Sequence, residues 1–223
     1  MKIIAKIKSE FPTKFGIPRQ SGLVENEALI VFEKEYRNEL ALRGIEEFSH
    51  LWLIWKFSKT EIDEWKPTVR PPRLGGNKRV GVFATRSPFR PNPIGLSSVK
   101  LKGVEKTKDG LALRVIGADL MDGTPIYDIK PYLAFTDSHS DAMGGFADEK
   151  FNDNLKVVVP EKFIGTIPCE RLNDLRCILS HDPRPHYIDN EDREFGFYYL
   201  DFEIKFKVKD NTLTVTSITK RAD

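Results

Sequence analysis

The sequence is poor in cysteine and histidine, and it has no long apolar run. Its two cysteines, Cys169 and Cys177, are not spaced as a CxxC pair, and its four histidines are scattered. This pattern predicts neither a zinc site nor a disulfide framework. No stretch approaches the roughly 20 apolar residues of a membrane-spanning helix, and no Gly-x-Gly-x-x-Gly motif is present. We therefore expect a cytoplasmic protein without a bound metal, a membrane contact or a Rossmann domain.

Charge is nearly balanced over the 223 residues, with 35 Lys and Arg against 33 Asp and Glu, but it is unevenly distributed. Residues 65–104 contain nine basic side chains and no acidic one, whereas residues 119–153 contain eight acidic side chains and two lysines. Such segregation is found on surfaces that bind anionic ligands or nucleic acid. Two neighbouring segments that neutralise each other in the fold would give the same pattern, so charge alone leaves both interpretations open.

Short runs of alternating or branched apolar residues indicate strands at residues 3–7, 28–32, 49–58, 79–84, 94–105, 111–118 and 124–130. Residues 35–48 favour a short helix that stops near Gly44. A helix that ends before Asp182, followed by two strands joined by the turn KDN (209–211), predicts a small α+β unit at the C-terminus. Many strands with little helix predict a mainly β fold, either a barrel or a sandwich.

The stretch GVFATRSPFRPN, residues 81–92, combines a stiff backbone with positive charge. Prolines fix the φ angle at three of the six positions from 88 to 93, which lowers the entropy lost when Arg86 and Arg90 are held in place. A guanidinium group presents a planar fork of donors that suits a carboxylate or a phosphate. A single arginine here is explained more simply by a structural salt bridge. Two arginines on one rigid loop favour a site for an anionic ligand.

Three further stretches concentrate polar groups between glycines or prolines. FGIPRQSG contains Gln20, whose amide can both donate and accept hydrogen bonds. DGTP (122–125) is a tight turn by composition, and SHDPRPHY (180–187) brings together Asp182, Arg184, His186 and Tyr187. Each stretch also has an interpretation without a ligand. FGIPRQSG could be a surface loop, DGTP a turn in which the aspartate caps its own backbone, and SHDPRPHY a structural hinge.

Together these stretches resemble the TsaA-like, or YaeB-like, family. Residues 81–92 look like the family signature, and PRQSGL, FSHLWLIW, RPPRLGGN and DLMDGTPIYDIKPY match other family stretches in the expected order. DPRPHY resembles the C-terminal motif of the longer bacterial members. The resemblance covers nearly the whole chain. It implies a single-sheeted β-barrel N-terminal domain in residues 1–150 and a small C-terminal α+β domain in residues 160–223.

The same resemblance implies an S-adenosyl-L-methionine-dependent methyltransferase that works as a homodimer. Its substrate would be the N6 position of threonylcarbamoyladenosine next to the anticodon of tRNA. Matched residue by residue, the implied cofactor contacts are Pro18, Arg19, Gln20, Ser58, Lys59, Arg86, Leu96, Asp122, Gly123, Thr124 and Pro125. Many members carry His-Gln where this chain has Ser58 and Lys59, so backbone groups would make any contact there.

Each chemical group of the implied cofactor has a candidate partner in the chain. We expect Arg86 to bind the carboxylate, Asp122 the ribose or the ammonium group, Leu96 the adenine face and Gln20 the adenine edge. Basic side chains would hold the phosphates of the tRNA. The candidates are Arg70, Arg73, Lys78, Arg79, Arg90 and Arg184.

The implied reaction is an in-line displacement at a sulfonium methyl group, so positioning is the main task of the protein. The attacking nitrogen is conjugated to a carbamoyl group, and a base within hydrogen-bond reach would make it more nucleophilic. Asp182 and Tyr187 are the candidate bases, with Asp128 behind them. Two alternatives use the same residues: a non-catalytic RNA-binding β-barrel, and a hydrolase built on Arg86, Asp182 and His186, for which no nucleophile–base pair stands out.

Overall fold

The structure is a computed structural model that describes residues 1–60, 64–71, 74, 76–148, 155–184 and 192–221. These residues form twelve strands, two α-helices and several short 3-10 helices. The predicted mainly β fold class is therefore confirmed. Within the described ranges, no helix is long and apolar enough to cross a membrane.

The N-terminal half contains a six-stranded sheet and a separate short hairpin. Its strands are β1 (Ala5–Lys8), β2 (Glu27–Phe32), β3 (His50–Lys56), β4 (Thr68–Val69), β5 (Val80–Gly81), β6 (Ile94–Thr107), β7 (Gly110–Ile116) and β8 (Pro125–Pro131). The order in the large sheet is β1-β2-β7-β6-β3-β8, with antiparallel neighbours. Because β1 also pairs with β8, the sheet closes on itself. Among the described residues, strands β4 and β5 have no pairing partner other than each other.

Alternate side chains of the closed sheet point inward and fill its centre, as the period of two in a strand requires. Ile7, Ile30, Leu53 and Leu113 are fully buried members of this core. Strand β3 contributes to this core with one face only. Only its inward residues are buried, and the outward ones, such as Trp52, are half-buried, because that face borders the open cleft described below.

The helix expected at residues 35–48 is wrong, because the chain forms three separate 3-10 helices there. They span Lys34–Tyr36, Glu39–Leu42 and Ile45–Glu47. The Asn38 side chain accepts a hydrogen bond from the Leu40 N–H at 3.0 Å, and Gly44 has a φ of 85°. The Asn38 side chain competes with the backbone for the Leu40 N–H, and the left-handed conformation of Gly44 ends the second 3-10 helix. Together they prevent a continuous α-helix.

The C-terminal part is a second, smaller α+β sheet unit. It follows the short helix α1 (Ala134–Asp137) and contains β9 (Lys156–Val158), α2 (Cys169–Ser180), β10 (Phe195–Tyr199), β11 (Phe202–Lys209) and β12 (Thr212–Lys220). The sheet order is β10-β11-β12-β9, with β9 parallel to β12. Three antiparallel strands replace the two expected, because Leu200, at a φ of 52°, makes an additional tight turn. The predicted KDN turn is present, with positive φ at both Asp210 and Asn211.

The long N-terminal loop, residues 9–26, packs against the C-terminal unit. Phe11 and Val24 belong to the same buried cluster as Leu175 and Phe197. The hydroxyl of Tyr199 donates to the Glu10 carboxylate at 2.9 Å. Arg171 forms an ion pair with the same carboxylate at 2.8 Å, so two contacts to a buried charge lock this loop onto the C-terminal sheet and helix α2.

Candidate functional site

An open cleft lies where residues 81–93, here called the signature loop, meet β3, β6 and the loop 9–26. Its volume is about 1220 Å³, which exceeds the roughly 300–1,000 Å³ of typical small-molecule pockets. It therefore has room for a cofactor together with part of a second substrate. Apolar side chains, among them Trp52, Trp55 and Leu96, line it beside charged groups such as Arg86.

Hydrogen bonds within the signature loop fix its shape. The strand expected at residues 79–84 ends early, because β5 covers only Val80–Gly81 and a 3-10 helix follows at Val82–Ala84. The Thr85 hydroxyl then donates to the Val82 carbonyl at 2.8 Å. The Arg90 guanidinium donates to the Thr85 carbonyl at 3.0 Å and to the Ser87 carbonyl at 3.4 Å. Arg90 thus lies in the cleft wall and also braces its own loop.

Arg86 joins the signature loop to a second predicted cofactor segment. Its guanidinium donates to the Gln20 side-chain oxygen, and the Gln20 amide nitrogen donates to the Arg19 carbonyl at 2.6 Å. Pro18, Arg19, Gln20 and Arg86 all line the cleft. The structure therefore brings together two segments that are 66 residues apart in the sequence.

The end of β3 and the outer face of β6 supply further residues of the predicted set. Ser58 and Lys59 line the cleft, and the Lys59 carbonyl accepts a hydrogen bond from the Lys14 ammonium group. Leu96 points outward from β6 with 56% of its surface exposed. It therefore offers an apolar face to a ligand in the cleft.

The turn at 122–125 lies mostly behind the cleft wall. Only Thr124 of its four residues lines the cleft. The Asp122 carboxylate accepts the Ser9 N–H at 3.0 Å, and the Gly123 N–H donates to the Ile7 carbonyl at 2.8 Å. In this structure the Asp122 carboxylate is bound to the backbone and is not among the cleft-lining groups.

The described part of the DPRPHY motif contacts the cleft-lining residue Arg19. The two Asp182 carboxylate oxygens accept hydrogen bonds from the Arg184 guanidinium, each at 2.8 Å. Arg19 donates to the Asp182 carbonyl at 2.6 Å. Asp182 and Arg184 therefore contact each other, and neither lines the cleft. The predicted residues Tyr187 and Arg73 lie outside the described residues, as does His186.

The remaining basic candidates are on the surface beside the signature loop. Arg70, Lys78 and Arg79 are exposed, and Arg79 donates to the Thr68 hydroxyl at 3.0 Å. Asp128, the reserve candidate for a base, forms an ion pair with Lys130 at 3.1 Å instead of lining the cleft. Among the described residues, no cluster of three or more His, Cys, Asp or Glu side chains could hold a metal ion.

One acidic residue in the cleft was missed by the sequence analysis. Asp119 lines the cleft and accepts a hydrogen bond from the Ser97 hydroxyl at 2.6 Å. Ser97 in turn accepts the Trp55 indole N–H at 3.0 Å. Burial raises the pKa of Asp119, although the hydrogen bond from Ser97 and the charge of Arg86 oppose this. Asp119 is the first residue of the stretch DLMDGTPIYDIKPY, but the residue-by-residue match to the family did not include it among the implied cofactor contacts.

Comparison with known proteins gives consistent matches over both units. The tRNA-methyltransferase O N-terminal domain matches residues 6–138, and the TrmO C-terminal domain matches residues 170–221. The Escherichia coli protein named tRNA (adenine(37)-N6)-methyltransferase is 42% identical over 228 residues, covering 98% of this chain and 97% of that protein. A Methanothermobacter thermautotrophicus protein, named "Probable S-adenosyl-L-methionine-binding protein", is 36% identical over 135 residues, covering 60% of this chain and 90% of that protein.

Solved structures agree with these sequence matches. The crystal structure of TrmO from Pseudomonas aeruginosa is similar with a TM-score of 0.76 and 30% identity, covering 97% of each chain. The likeness therefore extends over both sheets and is not confined to the N-terminal one. The chain belongs to the tRNA-methyltransferase O (TrmO) family.

Proposed function

We propose that this chain is an S-adenosyl-L-methionine-dependent methyltransferase that acts on N6 of threonylcarbamoyladenosine next to the anticodon of tRNA. The observation that carries the proposal is the cleft, where the signature loop, residues 18–20 and residues 58–59 converge. The name of the Escherichia coli relative supports the tRNA adenine as the substrate. The name of the Methanothermobacter thermautotrophicus relative supports the cofactor.

The residues of the cleft fit this cofactor in charge and in polarity. Arg86 would bind the carboxylate, and Leu96 with the neighbouring aromatic side chains would cover the adenine and the ribose. Gln20 would meet the adenine edge, while Pro18, Arg19, Ser58 and Lys59 would contribute mainly through the backbone. Thr124 would complete the wall, held in place by the turn that Asp122, Gly123 and Pro125 form.

When bound, the cofactor supplies an activated methyl group, and the protein positions the acceptor nitrogen in line with it. The N6 lone pair is delocalised into the carbamoyl group, so loss of the N6 proton assists attack. Asp182 and Tyr187 remain the proposed bases, and Asp128 is the next candidate. Asp182 does not line the cleft in this structure, so to accept the proton it would move toward the cleft and give up part of its contact with Arg184 when tRNA binds.

The tRNA would bind along the basic surface that borders the cleft. Exposed cations there can neutralise phosphates, which gives affinity that depends on salt concentration. We assign this role to Arg70, Arg73, Lys78, Arg79, Arg90 and Arg184. Arg90 and Arg184 also hydrogen-bond groups of the protein, which fixes the position from which each would contact a phosphate.

We also propose that the closed six-stranded sheet is the single-sheeted β-barrel of the family. In this division residues 1–150 form the cofactor-binding domain and residues 160–223 the C-terminal domain. We further propose a homodimer that works in the cytoplasm. Equilibrium sedimentation tests the dimer, and a molecular mass of one chain at micromolar concentration would contradict it.

The direct test is incubation with labelled S-adenosyl-L-methionine and tRNA that carries or lacks the threonylcarbamoyl group. We expect a mass increase of one methyl group on the modified nucleoside only. Arg86→Gln should retain the fold, measured by circular dichroism, and should bind the cofactor more weakly by calorimetry. A protein that binds tRNA, gives no heat with the cofactor and transfers no methyl group is a non-catalytic RNA-binding protein, and the proposal fails.

A further inference from the structure

Asp119 is the acidic side chain of the cleft to which no role has been assigned. It lies in the loop between β7 and β8, and its side chain is half-buried. Asp122, three residues later, was the sequence-based candidate for the ammonium group or the ribose. The Asp122 carboxylate accepts the Ser9 N–H and is not part of the cleft lining, so Asp119 is the acid placed to meet a ligand there.

The Asp119 carboxylate is held by contacts on both sides of its loop. On one side Ser97 donates to it, and the orientation of Ser97 is fixed by the indole N–H of Trp55. On the other side the loop backbone is tied down, because the Asn26 amide donates to the Ala118 carbonyl at 3.0 Å. A side chain supported in this way is preorganised for a ligand, which limits the entropy lost on binding.

No described residue forms an ion pair with this carboxylate, so its charge is only partly compensated. Arg86 is near enough for its positive charge to lower the pKa of Asp119, but its guanidinium binds Gln20. A carboxylate withdrawn from water is costly unless a cation pairs with it. The arrangement is therefore suited to a cationic group that enters the cleft.

We propose that Asp119 binds the α-ammonium group of S-adenosyl-L-methionine, while Arg86 binds the carboxylate of the same amino-acid end. The inference rests on the proposed function and deepens it by giving the amino-acid end of the cofactor a place in the cleft. The two charged groups are attached to a single carbon atom, so their partners must be neighbours in the protein. Asp119 and Arg86 both line the cleft, and Arg86 is near enough for its charge to lower the pKa of Asp119.

The test compares three probes by calorimetry with wild type and Asp119→Asn. The probes are S-adenosyl-L-methionine, S-adenosylhomocysteine and the analogue of S-adenosylhomocysteine that lacks the amino group. A hydrogen bond between two charged groups predicts that Asp119→Asn binds the first two probes about 10- to 100-fold more weakly. The third probe should bind wild type and variant equally, which also shows that the variant is folded.

Two further variants complete the design. Ser97→Ala should weaken the binding of the first two probes less than Asp119→Asn does. It removes the hydrogen bond that orients the Asp119 carboxylate but leaves the negative charge in place. Asp141→Asn, on an exposed loop, should change no affinity.

Other outcomes overturn the assignment and identify the alternative. Unchanged affinity of Asp119→Asn for all probes, with slower methylation, would make Asp119 a base. Weaker binding of S-adenosyl-L-methionine alone would indicate the sulfonium group as the partner, and equal weakening of all three probes would indicate a structural role. If wild type binds none of the probes, the proposed function itself fails, and this inference fails with it.

Discussion

Gly95→Ala tests whether the backbone of β6 fixes the orientation of Trp55. That orientation determines the hydrogen bond from the Trp55 indole to Ser97, and Ser97 in turn donates to Asp119. A Cβ atom at position 95 would lie 2.6 Å from Cδ2 of Trp55 and closer still to Cε2 and Cζ2. Trp55 is buried, so the indole cannot move away freely. Overpacking of a core costs roughly 1–3 kcal/mol, whereas replacing a strand glycine with alanine otherwise gains roughly 0.5–1 kcal/mol. We expect a net loss of about 0.5–2 kcal/mol in the free energy of unfolding.

Urea unfolding monitored by circular dichroism measures this loss, and Gly196→Ala in β10 is the matched control. At position 196 the nearest atom to a new Cβ would be Cγ of Lys205, at 3.4 Å, so this variant should be as stable as wild type or more stable. Gly95→Ala should also bind S-adenosyl-L-methionine more weakly, because the displaced indole no longer orients Ser97. In a Trp55→Leu background, Gly95→Ala should cost little. If Gly95→Ala and Gly196→Ala proved equally stable, the proposed packing of Trp55 against β6 would be refuted.

Three further predictions concern the contacts of the N-terminal loop and the basic surface. Tyr199→Phe removes a hydrogen bond to the buried Glu10 carboxylate and should lower the free energy of unfolding by about 1.5–3 kcal/mol; a loss below the error of urea unfolding would contradict the contact. Burial raises the pKa of Glu10 above its ordinary value of 4.5, so its contribution to stability is largest below that value and declines as pH rises through the folded pKa. Wild type should therefore gain stability relative to Glu10→Gln as pH is lowered toward 4.5, and a difference independent of pH would count against this. Lys78→Ala and Arg79→Ala should each reduce the salt dependence of tRNA affinity by about one phosphate contact, whereas Lys207→Ala on β11 should leave it unchanged.

Local sequence patterns predicted most of the strands, because alternation and tight turns depend on residues close together in the chain. The KDN turn is of this kind, and it lies in a hairpin of the structure. The pairing of β1 with β8 joins residues about 120 positions apart, and nothing local in either strand specifies its partner. The helix prediction for residues 35–48 failed because Gly44 was taken as the end of one helix, whereas Asn38 and Gly44 divide the segment into three 3-10 helices.

For the site as well, the sequence predicts individual residues but not the contacts between them. Arg86 and Gln20 could be found from sequence, because each stands in a stretch whose proline and glycine content is unusual for a plain surface loop. Their hydrogen bond to each other depends on the fold and could not be predicted. Arg90 lies in the same loop as Arg86, but it donates to carbonyls of that loop. Residue type and spacing alone therefore do not distinguish an arginine placed for a ligand from one that stabilises the loop. Asp119 opens the stretch DLMDGTPIYDIKPY but lies outside its glycine- and proline-containing turn, and only its three-dimensional neighbours give it a role.

The contacts of the loop 9–26 explain how the C-terminal unit affects a cleft that none of its described residues lines. Glu10, at the start of the loop, is bound by Tyr199 and Arg171. Gly16 lies against the ring of Phe197, where an added Cβ would lie 2.7 Å from Cε2 and closer to Cδ2. Three residues later Arg19 donates to the Asp182 carbonyl. A segment fixed at three points by one unit leaves Gln20 little freedom to move. The position of Gln20, and therefore of the Arg86 guanidinium that it binds, depends on the C-terminal sheet and helix α2 as well as on the N-terminal sheet.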